Sequence, residues 1–122
     1  MSRYEWLDEY CLSLRGVTKD YHIDFQADRY LVGGKMFLMR CVEKAGKPII
    51  TLKLEPAHGD LLRQQYEHII PGYYMNKVHW NSLYLEGDVP DDVVRAMVKE
   101  SYQIILHALS KKLQKEICEL AE

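Results

Sequence analysis

Asn76, Lys77, His79 and Trp80 fall within five positions, two residues after the pair Tyr73 and Tyr74. Those side chains suit recognition chemistry. An ammonium meets a phosphate, indole and phenol rings stack on a base or another flat group, and Asn and His hydrogen-bond an edge. Pro71-Gly72 just ahead keeps the stretch from running on as a plain helix or strand, and irregular segments often carry function. The same residues have a plainer reading. A Trp at the start of a strand anchors a core, a His beside it donates to a backbone carbonyl, and an Asn holds a turn. Sequence alone leaves both readings standing, and Tyr73, Tyr74 and Trp80 form the candidate surface for a protein or small ligand.

Other chemistry is poorly provided for. The five histidines, His22, His58, His68, His79 and His107, are scattered, with no HExxH and no ligand pair on one helical turn. No GxSxG, phosphate-cradling glycine loop or Cys/His nucleophile arrangement occurs. No catalytic residue, metal site or cofactor is expected. The three cysteines, Cys11, Cys41 and Cys118, are odd in number and far apart, which argues against a disulfide framework. Cys11 and Cys118 fall in apolar helical patterns and are expected in the core. A net charge of −2 weighs against strong nonspecific attraction to nucleic acid. The segment 1–6 has no long apolar run, and no stretch approaches the ~20 apolar residues that span a bilayer, so a soluble cytoplasmic protein is expected.

The elements that must position these residues can be read from periodicity. With 122 residues, 48% of them hydrophobic, one globular domain over 1–122 is expected. Ser2 and Glu5 form a capping box, and Tyr4, Leu7, Cys11 and Leu14 continue it as an amphipathic helix of about four turns stopped by Gly16. Residues 25–32 and 35–42 read as strands joined by Gly33-Gly34, and 48–54 as a third strand after a polar turn at 43–47. Pro56 opens a second helix, with Leu61, Leu62, Gln65, Tyr66 and Ile69 inward and Pro71-Gly72 as its end. Residues 80–85 alternate as a further strand. Pro90, Asp91 and Asp92 open a third helix that buries Val94, Met97, Val98, Ser101, Ile104, Ile105 and Ala108. Ser110 caps a last helix with Leu113, Ile117 and Leu120 on one side. The predicted class is α+β, an antiparallel sheet (a three-strand meander plus a later strand) with helices packed on one face.

Several words in this order resemble the MmcQ/YjbR family of small bacterial proteins. They are Val32-Gly33-Gly34-Lys35-Met36-Phe37, Leu52-Lys53-Leu54-Glu55-Pro56, Leu62-Arg63-Gln64-Gln65, Asn76-Lys77-Val78-His79-Trp80, Leu83-Tyr84-Leu85 and Ser101-Tyr102. The chain departs from the family at His22-Ile23-Asp24-Phe25, where a Pro-Phe-Gly-like segment is common. The resemblance implies a CyaY-like fold described as a double-wing DNA-binding motif. It implies no enzyme activity and makes DNA a partner to test. Most lysines on turns and strand ends read as solubility devices. Lys53, Arg63 and Lys77 are set apart because they sit inside the family words. The nucleic-acid contacts implied are therefore Lys53, Arg63, Asn76, Lys77, His79 and Trp80, with the aromatic surface at 71–80 as the alternative.

Overall fold

Gly33 and Gly34 turn the chain with φ of 59° and 78°, a left-handed pair that side-chain-bearing residues rarely adopt. A Cβ on Gly33 would also come within 2.6 Å of Leu109 Cδ1. Around this turn lie β2 (Ala27–Val32) and β3 (Lys35–Val42). The computed structural model describes residues 4–72 and 75–120. The other strands are β1 (Val17–His22), β4 (Pro48–Lys53), β5 (Ile69–Pro71) and β6 (Trp80–Tyr84). All pair antiparallel, in the order β1-β2-β3-β4-β6-β5. The helices are α1 (Leu7–Ser13), α2 (Pro56–Gln65), α3 (Asp91–Ala108) and α4 (Lys111–Cys118).

Alternation along the strands divides the apolar residues between two faces. Tyr30, Phe37, Ile50, Leu52 and Leu83 join Leu7 and Cys11 of α1, Leu62 of α2 and Val94, Met97, Val98, Tyr102 and Leu106 of α3 in the main core. The opposite face holds a small cluster of Ala27, Met39, Cys41 and Ile49, flanked by Met36 and Tyr84, and no helical residue belongs to it. Helices thus cover one face of an α+β sheet, and the cluster on the other face holds strand residues alone.

The sheet is larger than the four strands read from sequence. β1 is an edge strand whose Thr18, Lys19, Asp20 and Tyr21 are all exposed, so it lacks the alternation that marks a half-buried strand. The strand expected at 25–32 starts at Ala27, because Gln26 turns the chain with φ of 50°. β5 is three residues long and ends on proline, too short to show a pattern. Pro71-Gly72 therefore closes a strand, and α2 ends earlier, at Gln65, with Tyr66 already extended. Leu61 and Gln65, expected inward, are both exposed. α1 has about two turns, not four, because Leu14 leaves the helical region with ψ of 142°; the capping Ser2 lies outside the described residues. α3 forms where expected and also buries Tyr102 and Leu106, while Ile104 and Ile105 are half-buried and Ala108 is exposed. In α4 the Ser110 Oγ accepts from Leu113 N at 3.2 Å as the cap. Cys118 is exposed there, contrary to its expected core position.

Candidate ligand cleft on the open sheet face

At one end of the sheet β4 stops at Lys53 and β6 starts at Trp80, and these two are direct partners across the ladder. Lys53 follows Ile49 and Thr51 at a spacing of two. Lys53 and Trp80 therefore occupy the helix-free face. Both are half-buried. Beyond Leu38 and Leu52 the β3–β4 ladder opens, and Ser101 of α3 fills the gap. Its buried hydroxyl donates to Phe37 O at 2.5 Å and accepts from Lys53 N at 2.8 Å. This tie holds the strand end that carries Lys53.

The segment leading into Trp80 closes at a narrow neck. Gly72 N donates to Trp80 O at 2.7 Å. A Cβ on Gly72 would stand 2.7 Å from both Trp80 Cβ and Trp80 O, so no side chain fits there. Asn76 holds a turn: its Oδ1 accepts from Val78 N at 2.8 Å, and its carbonyl accepts from Trp80 N at 2.9 Å. Lys77 Nζ donates to Gly72 O at 3.2 Å and clasps the neck from inside the loop. The His79 carbonyl accepts from Leu54 N and from Asn81 Nδ2, while the residue itself is exposed. Tyr73 and Tyr74 lie outside the described residues.

Arg63 does not join this group. It sits on α2, where its guanidinium donates to Asp60 Oδ1 and Asn81 Oδ1. Asn81 is the ladder partner of Leu52 and so faces the helices. The structure brings Lys53, Lys77 and Trp80 to one end of the sheet and leaves Arg63 behind it, tied to α2 and β6.

The loop also delivers a residue that the sequence reading passed over. Met75 joins Phe25, Arg29, Met36 and Met39 in lining a cleft of about 180 Å³ on the helix-free face. Met36 and Met39 are three apart and would normally point to opposite faces. A bulge changes that: Leu38 pairs with Tyr30 but Met36 pairs with Leu31, so Phe37 is the extra residue and both methionines emerge on one side. The bulge is a tertiary feature with no spacing signal. Phe25 is 59% exposed, and its ring stacks on His22 at a centroid distance of 4.5 Å.

Charges around the cleft are largely committed. Arg29 donates to both oxygens of Asp20 at 2.8 and 2.6 Å, and that bonding holds the Asp20 carboxyl below its ordinary range. Away from the cleft, Lys19 pairs with Asp8, Lys47 stands over the Tyr84 ring, and Arg95 over the Trp6 ring. Lys53 enters none of the ion pairs among the described residues. A second recess of about 220 Å³ lies elsewhere, lined by Lys47, His68, Tyr84, Glu86 and Gly87. Among the described residues no three His, Cys, Asp or Glu side chains group to hold a metal ion. No helix there is long and apolar enough to cross a membrane.

Comparison with known proteins gives concordant matches. A family model described as YjbR matches residues 12–104. The chain is 32% identical over 112 residues to the uncharacterized protein YjbR of Escherichia coli (strain K12), covering 92% of this chain and 94% of that one. It is 38% identical over 56 residues to the uncharacterized protein YyaQ of Bacillus subtilis (strain 168), covering 46% of this chain and 47% of the other. Among solved structures, Deinococcus radiodurans protein DR2400, with domain DUF419, superposes with a TM-score of 0.85 at 26% identity, covering 97% and 89% of the two chains. A Pseudomonas syringae protein shares the fold with a TM-score of 0.74 at 22% identity, covering 86% and 99%.

Proposed function

The chain belongs to the YjbR family, and on that premise we propose that it is a non-catalytic binding module that takes a small aromatic group into the cleft between loop 72–80 and the helix-free sheet face. One observation carries this reading: Met75, from the loop, meets Met36, Met39, Phe25 and Arg29, from the sheet and its hairpin turn, around one cleft. Thioethers and a phenyl ring are suited to an aromatic guest, each S···ring contact contributing about 0.3–1.5 kcal/mol. An apolar cavity of roughly 150 Å³ accepts a benzene ring, so about 180 Å³ matches one ring and is too small for a drug-sized molecule.

Duplex DNA is less well served. A phosphate-binding wing needs free, convergent cations. Here Arg63 is bound behind the sheet, Arg29 is neutralised by Asp20 and Lys77 donates to its own loop, so of the cations named only Lys53 is outside such contacts, and one cation does not make a convergent set. The cytoplasmic location suggested by the reduced-thiol composition belongs to the same proposal.

Calorimetric titration with indole tests the reading. Saturable binding is expected, weakened about fivefold in Met75→Ser, the equivalent of roughly one S···ring contact. A parallel anisotropy titration with a short DNA duplex at low salt is expected to show no saturable binding. Indole that fails to bind, beside a duplex that binds and loosens as salt rises, would replace this reading with the double-wing one.

A further inference from the structure

The cleft is not electrically symmetric, and its asymmetry bears on what it takes. Resting on the ring-binding reading above, we propose that the guest carries an anionic group, a carboxylate or phosphate attached to the ring, and that Lys53 is the residue that reads it. Lys53 shares the helix-free face with Met36 and Met39 and lies one strand away from them. Leu38 pairs with Leu52, so the methionines on either side of the bulge flank the row that ends at Lys53. A ring seated between the methionines would therefore hold a substituent directed at β4 within reach of that ammonium.

Three observations favour an anion over a neutral or cationic group. First, Lys53 is half-buried yet belongs to none of the ion pairs among the described residues. An ammonium partly withdrawn from water gains more from a counter-charge than an exposed one does. Second, the acid beside the cleft is already engaged: Asp20 accepts both Arg29 bonds and so is committed elsewhere than to Lys53. Third, among the described residues neither Lys53 nor Lys77 pairs with a carboxylate; Lys77 adds its charge at the loop neck, where it donates to the Gly72 carbonyl oxygen. Asp24, beside Phe25, and Asp28, beside Arg29, lie toward the start of β2, at the far end from the Met36 row, so a ring bearing a single negative substituent is oriented toward Lys53.

Lys53 is held for this task by its backbone. Its N–H is fixed to Ser101 Oγ at 2.8 Å, and its ladder partner Trp80 is fixed to Gly72 and Asn76. Among the described residues the side chain makes no hydrogen bond or ion pair, so replacing it tests recognition without dismantling the strand.

The test compares three probes: phenyl phosphate, benzyl alcohol and inorganic phosphate. Protein labelled at the methionine methyl carbons is titrated with each, and dissociation constants are read from the Met36, Met39 and Met75 signals. Phenyl phosphate is expected to bind about tenfold more tightly than benzyl alcohol, with the advantage shrinking as salt is raised. Inorganic phosphate alone is expected to move these signals weakly. In Lys53→Gln the two rings are expected to bind alike, whereas Lys99→Gln, on the exposed side of α3, keeps the preference. Equal affinity for the two rings in the unaltered protein overturns the anion inference and leaves the ring-binding reading standing. So does a preference that survives Lys53→Gln. If inorganic phosphate matches phenyl phosphate, or neither ring moves the methionines, the ring-binding reading falls with it.

Discussion

Replacing Gly72 with alanine joins the fold and the cleft in one experiment. The added Cβ would lie 2.7 Å from Trp80 Cβ, 2.7 Å from Trp80 O and 2.9 Å from Trp80 C. Two of these three atoms are backbone, so no side-chain rotation relieves the contact. The neck must widen, and that stretches the 2.7 Å bond from Gly72 N to Trp80 O. Losing a buried backbone bond costs about 0.5–1.5 kcal/mol, and forcing apart a packed contact costs about 1–3 kcal/mol. The expected loss is therefore about 2–4 kcal/mol. Gly34→Ala supplies the comparison. That glycine has φ of 78° and nothing within 4 Å of a built Cβ, so it meets backbone strain alone, about 1–2 kcal/mol. Urea unfolding of both variants measures the difference. Gly72→Ala should also shift the Met75 methyl signal, because the neck sets where the loop lands. A loss no greater than that of Gly34→Ala, with the Met75 signal unmoved, would refute the account of the neck.

Three further outcomes are expected. Ser101→Ala strands Phe37 O and Lys53 N together and should cost about 2–4 kcal/mol in urea unfolding; a loss under about 0.5 kcal/mol would mean the opened ladder closes without it. Asp8 is held below its ordinary pKa of 3.8 by hydrogen bonds from Lys19 and then Tyr30, so its stabilising effect is present above about pH 4 and fades as acid takes the pH through the lowered value. Asp8→Asn should flatten the stability profile in that acid range, and an unchanged slope would show that the pairing adds nothing to folding. Burial pushes the Cys11 thiol up to about 12 while Cys118 is exposed, so iodoacetamide near about pH 8 should label Cys118 in the folded protein and spare Cys11 until it unfolds. Mass spectrometry finding Cys11 labelled first would contradict the packing of α1.

Elements with strong local signals were legible in the sequence. Gly33-Gly34 marked the hairpin, Pro56 and Pro90 marked helix starts, and the cap at Ser110 was visible because each acts within a few residues of its own position. The hidden strands lack such signals. β1 is wet along most of its length, and β5 is only three residues, paired to β6 by tertiary context. The site divides in the same way. The loop 70–80 was conspicuous by composition, yet Asn76 and Lys77 are spent on holding its shape. The residues that line the cleft come from four separate places, Phe25, Arg29, Met36 with Met39, and Met75, and are assembled by a bulge that no one-dimensional pattern records. Arg63, picked out by the family word around it, lies on the helix-covered side, bonded to Asp60 and Asn81 and apart from the cleft.

The most direct test of the proposed cleft is a methyl spectrum of the methionine-labelled protein recorded while indole is added. Met97 lies in the helix-covered core and serves as the internal reference. The account predicts that the Met36, Met39 and Met75 signals move together along one saturating curve while Met97 stays in place. Signals that stay fixed, or that drift in step with Met97, would contradict it.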